Sequence, residues 1–125
     1  MLNLSIIIPV YNVEAYIEEC LASVVAQSDA KANIECIIVD DCSPDGSMDV
    51  VRRFVDNYQG AIRFRMLRHE VNRGISAARN TGVEAATGDY VFFIDSDDYL
   101  MEHGLKTLVD GLLANPDADV VQGNS

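Results

Sequence analysis

Two acidic clusters carry most of the chemical potential of this 125-residue chain. Asp40-Asp41 follows the apolar run Ile34-Glu35-Cys36-Ile37-Ile38-Val39, and Asp95-Ser96-Asp97-Asp98 follows Tyr90-Val91-Phe92-Phe93-Ile94. Carboxylates gathered on one rim raise one another's pKa unless a cation neutralises them. Oxygen donors of this kind suit a hard divalent ion. Mg2+ or Mn2+ would take one or two of the carboxylates and keep water and a substrate phosphate. The Asp-x-Asp spacing alone carries little, because 13 Asp in the chain produce about one such pair by chance. Asp117-Ala118-Asp119 is a second instance and reads as a helix-to-strand turn. What separates Asp95 to Asp98 from an ordinary turn cap is its place after a buried aromatic strand.

Two further segments complete the candidate chemistry. Pro9-Val10-Tyr11-Asn12 ends the first apolar run, and the Tyr11 ring either stacks on a base or packs as core at a strand end. Asn72-Arg73-Gly74-Ile75-Ser76-Ala77-Ala78-Arg79-Asn80 puts a glycine before a helix start and adds two arginines. Arg grips a diphosphate bidentately and a helix N-terminus favours anions; the plainer reading is that Arg73 and Arg79 neutralise the acidic rim. Neither Gly-x-Gly-x-x-Gly nor Gly-x-x-x-x-Gly-Lys occurs, so no dinucleotide fingerprint or P-loop is present.

The elements that must position these residues alternate along the whole chain. Leu4 to Ile8 and Ile34 to Val39 read as strands buried on both faces. Val13 to Ala26 reads as a helix with Ile17, Cys20, Leu21, Val24 and Val25 on one stripe. Asp40 to Gly46 is a turn by composition, Ser47 a helix N-cap, and Val50 to Tyr58 the helix that follows. Ile62, Phe64 and Met66 alternate with Arg63 and Arg65, as in an edge strand with one wet face. Ser76 to Ala86 is helical, Tyr90 to Ile94 a fourth strand, Met101 to Ala114 a last helix, and Asp119-Val120-Val121 the start of another strand. This order predicts an α/β fold: a mostly parallel, doubly wound sheet with flanking helices, whose ligands bind beyond the carboxyl ends of the strands.

Composition sets the outer limits. The chain has 20 acidic against 9 basic residues, a formal charge of −11, with 49% hydrophobic residues, as expected of one globular domain. Such a charge argues against nucleic acid and against an anionic membrane surface as partners. Cys20, Cys36 and Cys42 form no paired motif, and Met1-Leu2-Asn3 starts no leader peptide, so reduced thiols and a cytoplasmic location are expected.

The segments Ile6 to Asn12, Val39 to Ser47, Asn72 to Gly82 and Asp95 to Asp98, in that order, resemble the family 2 glycosyltransferases of the GT-A fold. The resemblance implies an inverting transferase that uses a nucleoside diphosphate sugar, often a UDP-sugar, with Mn2+ or Mg2+. It implies that Tyr11 packs on the base and Pro9 shapes its loop, that Glu14 lies near the ribose, and that Asp41 faces the uracil with Asp40 beside it. Arg79 falls near base or phosphate. Asp97 matches the nearest metal ligand, Asp95 the ribose side of the same motif, with Ser96 between them. A glycan or lipid-linked acceptor, and a place at the inner face of the membrane, are common to such enzymes.

The family's general base, usually an Asp, belongs to an acceptor-binding half that would follow Ser125. Residues 1–125 are therefore expected to be a single donor-binding domain, truncated before that half. His69 and His103 do not match the base and read as surface or helix-start residues. Loss of the following half would also leave Tyr90 to Ile94 as an apolar edge, which predicts self-association. A binding fragment without turnover and a receiver-type signalling domain are the alternatives. The receiver is disfavoured because its acidic pair would follow the first strand and Lys31 and Lys106 lie at no strand end.

Overall fold

The computed structural model describes residues 2–26, 32–94 and 120–122. Five strands, β1 (Leu2–Val10), β2 (Ala32–Asp40), β3 (Arg63–Arg68), β4 (Tyr90–Phe93) and β5 (Val120–Gln122), form one parallel sheet in the order β3-β2-β1-β4-β5. Three helices are described: α1 (Ile17–Val25), α2 (Ser47–Asn57) and α3 (Ile75–Ala85). The doubly wound α/β expectation holds. The strand order reverses between β1 and β4, which makes the carboxyl ends of these two strands the switch point. A receiver of the flavodoxin-like order 2-1-3-4-5 is excluded by this topology. Among the described residues no helix is long and apolar enough to cross a membrane.

The period-two pleat sorts β1 and β2 onto two cores. Leu4, Ile6, Ile8 and Val10, with Ile34, Cys36 and Ile38, pack under α1 and α2 through Ile17, Cys20, Leu21, Val24, Met48 and Val51. Ile7, Ile37 and Val39 face the opposite way and meet Ala78 of α3. Gly82 lets α3 approach β1, since a Cβ there would stand 2.5 Å from Ile7 Cγ2.

Several boundaries differ from expectation. The first helix starts at Ile17, not Val13, because residues 14–16 form turns. Ser47 is the first residue of α2 and not its cap, which is Gly46; the Ser47 N–H donates to Asp45 Oδ1 at 3.0 Å. β3 is a sheet edge, as expected, but the expected alternation is broken: Met66 is exposed and Arg65 is half-buried, drawn onto the buried Glu35. The apolar edge expected at Tyr90 to Ile94 does not exist: β4 is paired with β1 on one side and with β5 on the other, Val91 opposite Val120 and Phe93 opposite Gln122. The reason given for self-association therefore falls away. The helix expected at Met101 to Ala114 and the turn at Asp117 to Asp119 lie outside the described residues.

Candidate functional site

Pro9 lies inside β1, opposite Val39, and does not itself form the loop. Val10 O accepts from Asp41 N on the β2 side, and Ile7 O accepts from Ile94 N on the β4 side. Pro9 has the parity of Ile7, so its missing N–H faces β4 just past the last paired residues, Ile7 and Phe93, where no ladder bond is lost. Tyr11 follows, 47% exposed. Asn12 then takes a positive φ of 56°, which an Asn tolerates.

The loop after β1 is sewn to the loop after β2. Asn12 N donates to Ser43 Oγ (2.8 Å), Val13 N to Ser47 Oγ (2.9 Å), and Glu14 N to Asp45 Oδ2 (3.1 Å). In return Gly46 N donates to Glu14 Oε1 at 2.8 Å. Asp45 Oδ1 collects the hydroxyls of Ser43 and Ser47. Burial raises its pKa, but the Ser43 and Ser47 bonds and the Glu14 N–H outweigh burial and hold it well below the usual carboxylate range. Asp40 is buried and its Oδ1 accepts from Ser43 N at 2.9 Å.

Asp41, 2% exposed, is the hub of the rim. Its Oδ1 takes the Arg73 N–H (2.8 Å) and lies 2.8 Å from His69 Nδ1; its Oδ2 takes the Gly74 N–H (2.9 Å). Burial pushes this carboxyl up, but the bonds from His69, Arg73 and Gly74 and the charge of His69 bring it below its ordinary value. Gly74, with φ 94° and ψ 162°, occupies a region essentially restricted to glycine. Asp41 thus takes the two N–H groups that immediately precede the first turn of α3. Further along α3, Arg79 lies over the Phe93 ring, 5.8 Å from its centroid. That contact ties α3 to the end of β4, just before Asp95.

Hydrogen bonds therefore join Glu14 and Asp40 through the Ser43–Ser47 loop, and Asp41 to the Arg73–Gly74 turn; Pro9 and Tyr11 lead into the same loop, and Arg79 stands at the β4 side. Asp95, Ser96, Asp97, Asp98 and His103 lie outside the described residues. Among the described residues no group of three His, Cys, Asp or Glu side chains is placed to hold a metal. His69 overturns its expected surface role: it is buried and bonds Asp41 and, through Nε2 at 2.7 Å, Thr81 Oγ1. No local pattern marks it, since its partners lie 28 residues before and 12 after.

The sequence profile described as "Glycosyl transferase family 2" matches residues 5–124. The glycosyltransferase EpsJ of Bacillus subtilis is 45% identical over 96 residues, 77% of this chain and 26% of that protein. The crystal structure of S. aureus TarS 1-349 in complex with UDP superposes with a TM-score of 0.80 at 32% identity, over 91% of this chain and 33% of that one. The mannosyltransferase PcManGT of Pyrobaculum calidifontis, in complex with GDP-Man and Mn2+, gives 0.78 at 29% identity, over 87% and 32%. The chain spans only about a quarter to a third of the length of these proteins. With the profile matched from near its first strand to its last residues, the chain belongs to glycosyl transferase family 2.

Proposed function

We propose that this chain forms the donor-binding part of a glycosyltransferase that moves a sugar from a nucleoside diphosphate, most simply UDP, to an acceptor hydroxyl of a glycan or lipid-linked sugar. The observation that carries the reading is the bonding of the β1 and β2 loops to each other and, through Asp41, to the Arg73–Gly74 turn, all beside the switch point. Tyr11 offers an exposed ring for a base. A carboxylate accepts about four hydrogen bonds, and the described residues supply three to Asp41. One position on Oδ2 is left for a base N–H. Arg79, at the β4 side, is suited to a phosphate.

Asp95 and Asp97 are oxygen donors of the type that suits Mn2+ or Mg2+, and the Mn2+ bound with GDP-Man in the Pyrobaculum enzyme supports that assignment. A cation there would draw charge from the departing diphosphate. In the inverting reaction the bond from the anomeric carbon to the diphosphate breaks as the acceptor oxygen attacks the opposite face. The hydroxyl proton passes to a base, expected in the acceptor-binding half.

A thermal-shift series with UDP and GDP, with and without Mn2+, tests this reading. A ligand at a hundred times its Kd stabilises by about 2.7 kcal/mol, which is readily seen as a rise in Tm. Asp97→Ala is expected to abolish the Mn2+-dependent part, and Asp119→Ala to leave it intact. Equal losses in both would refute the choice of metal ligands, and no shift with any nucleotide would refute the donor site.

A further inference from the structure

His69 joins three elements. Its backbone N–H donates to Asp40 O at 2.8 Å, extending the β2–β3 ladder. Its ring reaches Asp41 on one side and Thr81, in the middle of α3, on the other. The Asp41 carboxylate has only acceptors to offer, so Nδ1 donates to it. Nε2 bonds the Thr81 hydroxyl, which also lies 3.0 Å from Ala77 O. Both ring nitrogens are partnered, and the ring cannot turn without losing one of these bonds.

We propose that His69 is a positioning residue of the nucleotide site, acting through Asp41. Its ring holds the Asp41 carboxylate in the one orientation that receives Arg73 N and Gly74 N and still turns an Oδ2 position toward the ligand. The inference rests on the nucleotide reading above and adds a residue to it. His69 touches no nucleotide in this scheme. Its role is to stop the carboxylate from rotating, which would release the Arg73–Gly74 turn and the start of α3 together.

Two amide variants separate this role from simple core filling. An Asn amide nitrogen falls where Nδ1 stands, and a Gln amide nitrogen where Nε2 stands. His69→Asn therefore keeps the Asp41 bond and gives up Thr81, whereas His69→Gln does the reverse. Calorimetric titration of the chain with UDP and Mn2+ is expected to give an affinity for His69→Asn within about threefold of the parent, and losses of about tenfold or more for His69→Gln and His69→Ala, the scale of one lost hydrogen bond to a charged group. Equal affinities for the Asn and Gln variants, or an unweakened His69→Ala, overturn the proposal. If the parent chain binds no nucleoside diphosphate, the nucleotide reading fails, and with it the part of the proposal that links His69 to the nucleotide. The Gly74 amide resonance then reads the geometry alone. Displacement in His69→Gln and not in His69→Asn would retain His69 as the residue that orients Asp41, and an unmoved signal in His69→Ala would remove even that.

Discussion

Glu35, near the start of β2, and Asp41, the residue after its end, are both buried, and they serve the fold in opposite ways. Glu35 is saturated: Oε1 takes Arg65 Nη1 at 2.8 Å, and Oε2 takes the Ser5 hydroxyl and both the N–H and hydroxyl of Thr87. Arg65 also donates to Ala85 O, the last residue of α3. Asp41 receives three bonds and holds the other end of the same helix. Six strand residues span roughly 20 Å and the 11 residues of α3 roughly 16 Å, so one strand clamps one helix at both termini. The amino-end clamp is closed upon itself. Among the described residues, the carboxyl-end clamp keeps an acceptor position and stands among the loops of the proposed site. The same side-chain chemistry thus serves stability at one end of the sheet and, on the proposed reading, a ligand site at the other.

The sharpest way to break this comparison is to neutralise each carboxylate in turn. Asp41→Asn should cost about 3 kcal/mol, the scale for hydrogen bonds to a buried charged group, and weaken UDP binding at least tenfold. Glu35→Gln should cost a similar amount in urea denaturation yet leave the UDP affinity of the folded chain unchanged. A loss of affinity in both would mean that the two ends are not separate in function.

Acid gives a second, gentler cut. Burial raises the Glu35 pKa, but its bonds from Arg65, Thr87 and Ser5 prevail and hold it at about 2 against an ordinary 4.5. A pKa depressed in the folded state stabilises above the unfolded value and ceases to do so as pH falls toward the folded one. The stability contributed, about 3 kcal/mol by linkage, is present at pH 6 and drains away between about 4.5 and 2. Urea midpoints measured down to pH 3 should fall for the parent and fall less for Glu35→Gln.

The smallest effect expected is at the middle of the clamped helix. Gly82→Ala gains helix propensity but forces a methyl against Ile7 at 2.5 Å, and overpacking of this kind costs about 2 kcal/mol. A stabilised variant would show that α3 has room to move and that the end clamps, not the close approach, set its height.

Much of this arrangement is legible in the residue order. The uninterrupted run Ile6 to Ile8 announces a strand covered on both faces, and the alternation of Phe64 and Met66 with arginines announces the edge. Val120 and Val121 announce a further strand, but not that it pairs with β4. The clamps are not legible. Glu35 reads as a wet residue in a dry strand until the fold brings Arg65 and Thr87, 30 and 52 residues away, to meet it. Asp41 reads as an acid awaiting a ligand, because the donors that satisfy it come from the far side of β3. His69 has no periodicity at all. Local pattern writes the elements, whereas polar partners across the sheet are fixed only by strand order and register.

The edge strand β3 has a last implication, for solubility. Arg63, Arg65 and Arg68 are three of only 9 basic residues in a chain of net charge −11. They lie along β3, one of the two edges of the described sheet. Two copies approaching edge to edge there would set guanidinium against guanidinium, and like charges facing across a strand pair repel. An acidic protein thereby guards this border with the opposite sign, a safeguard against fibrous aggregation.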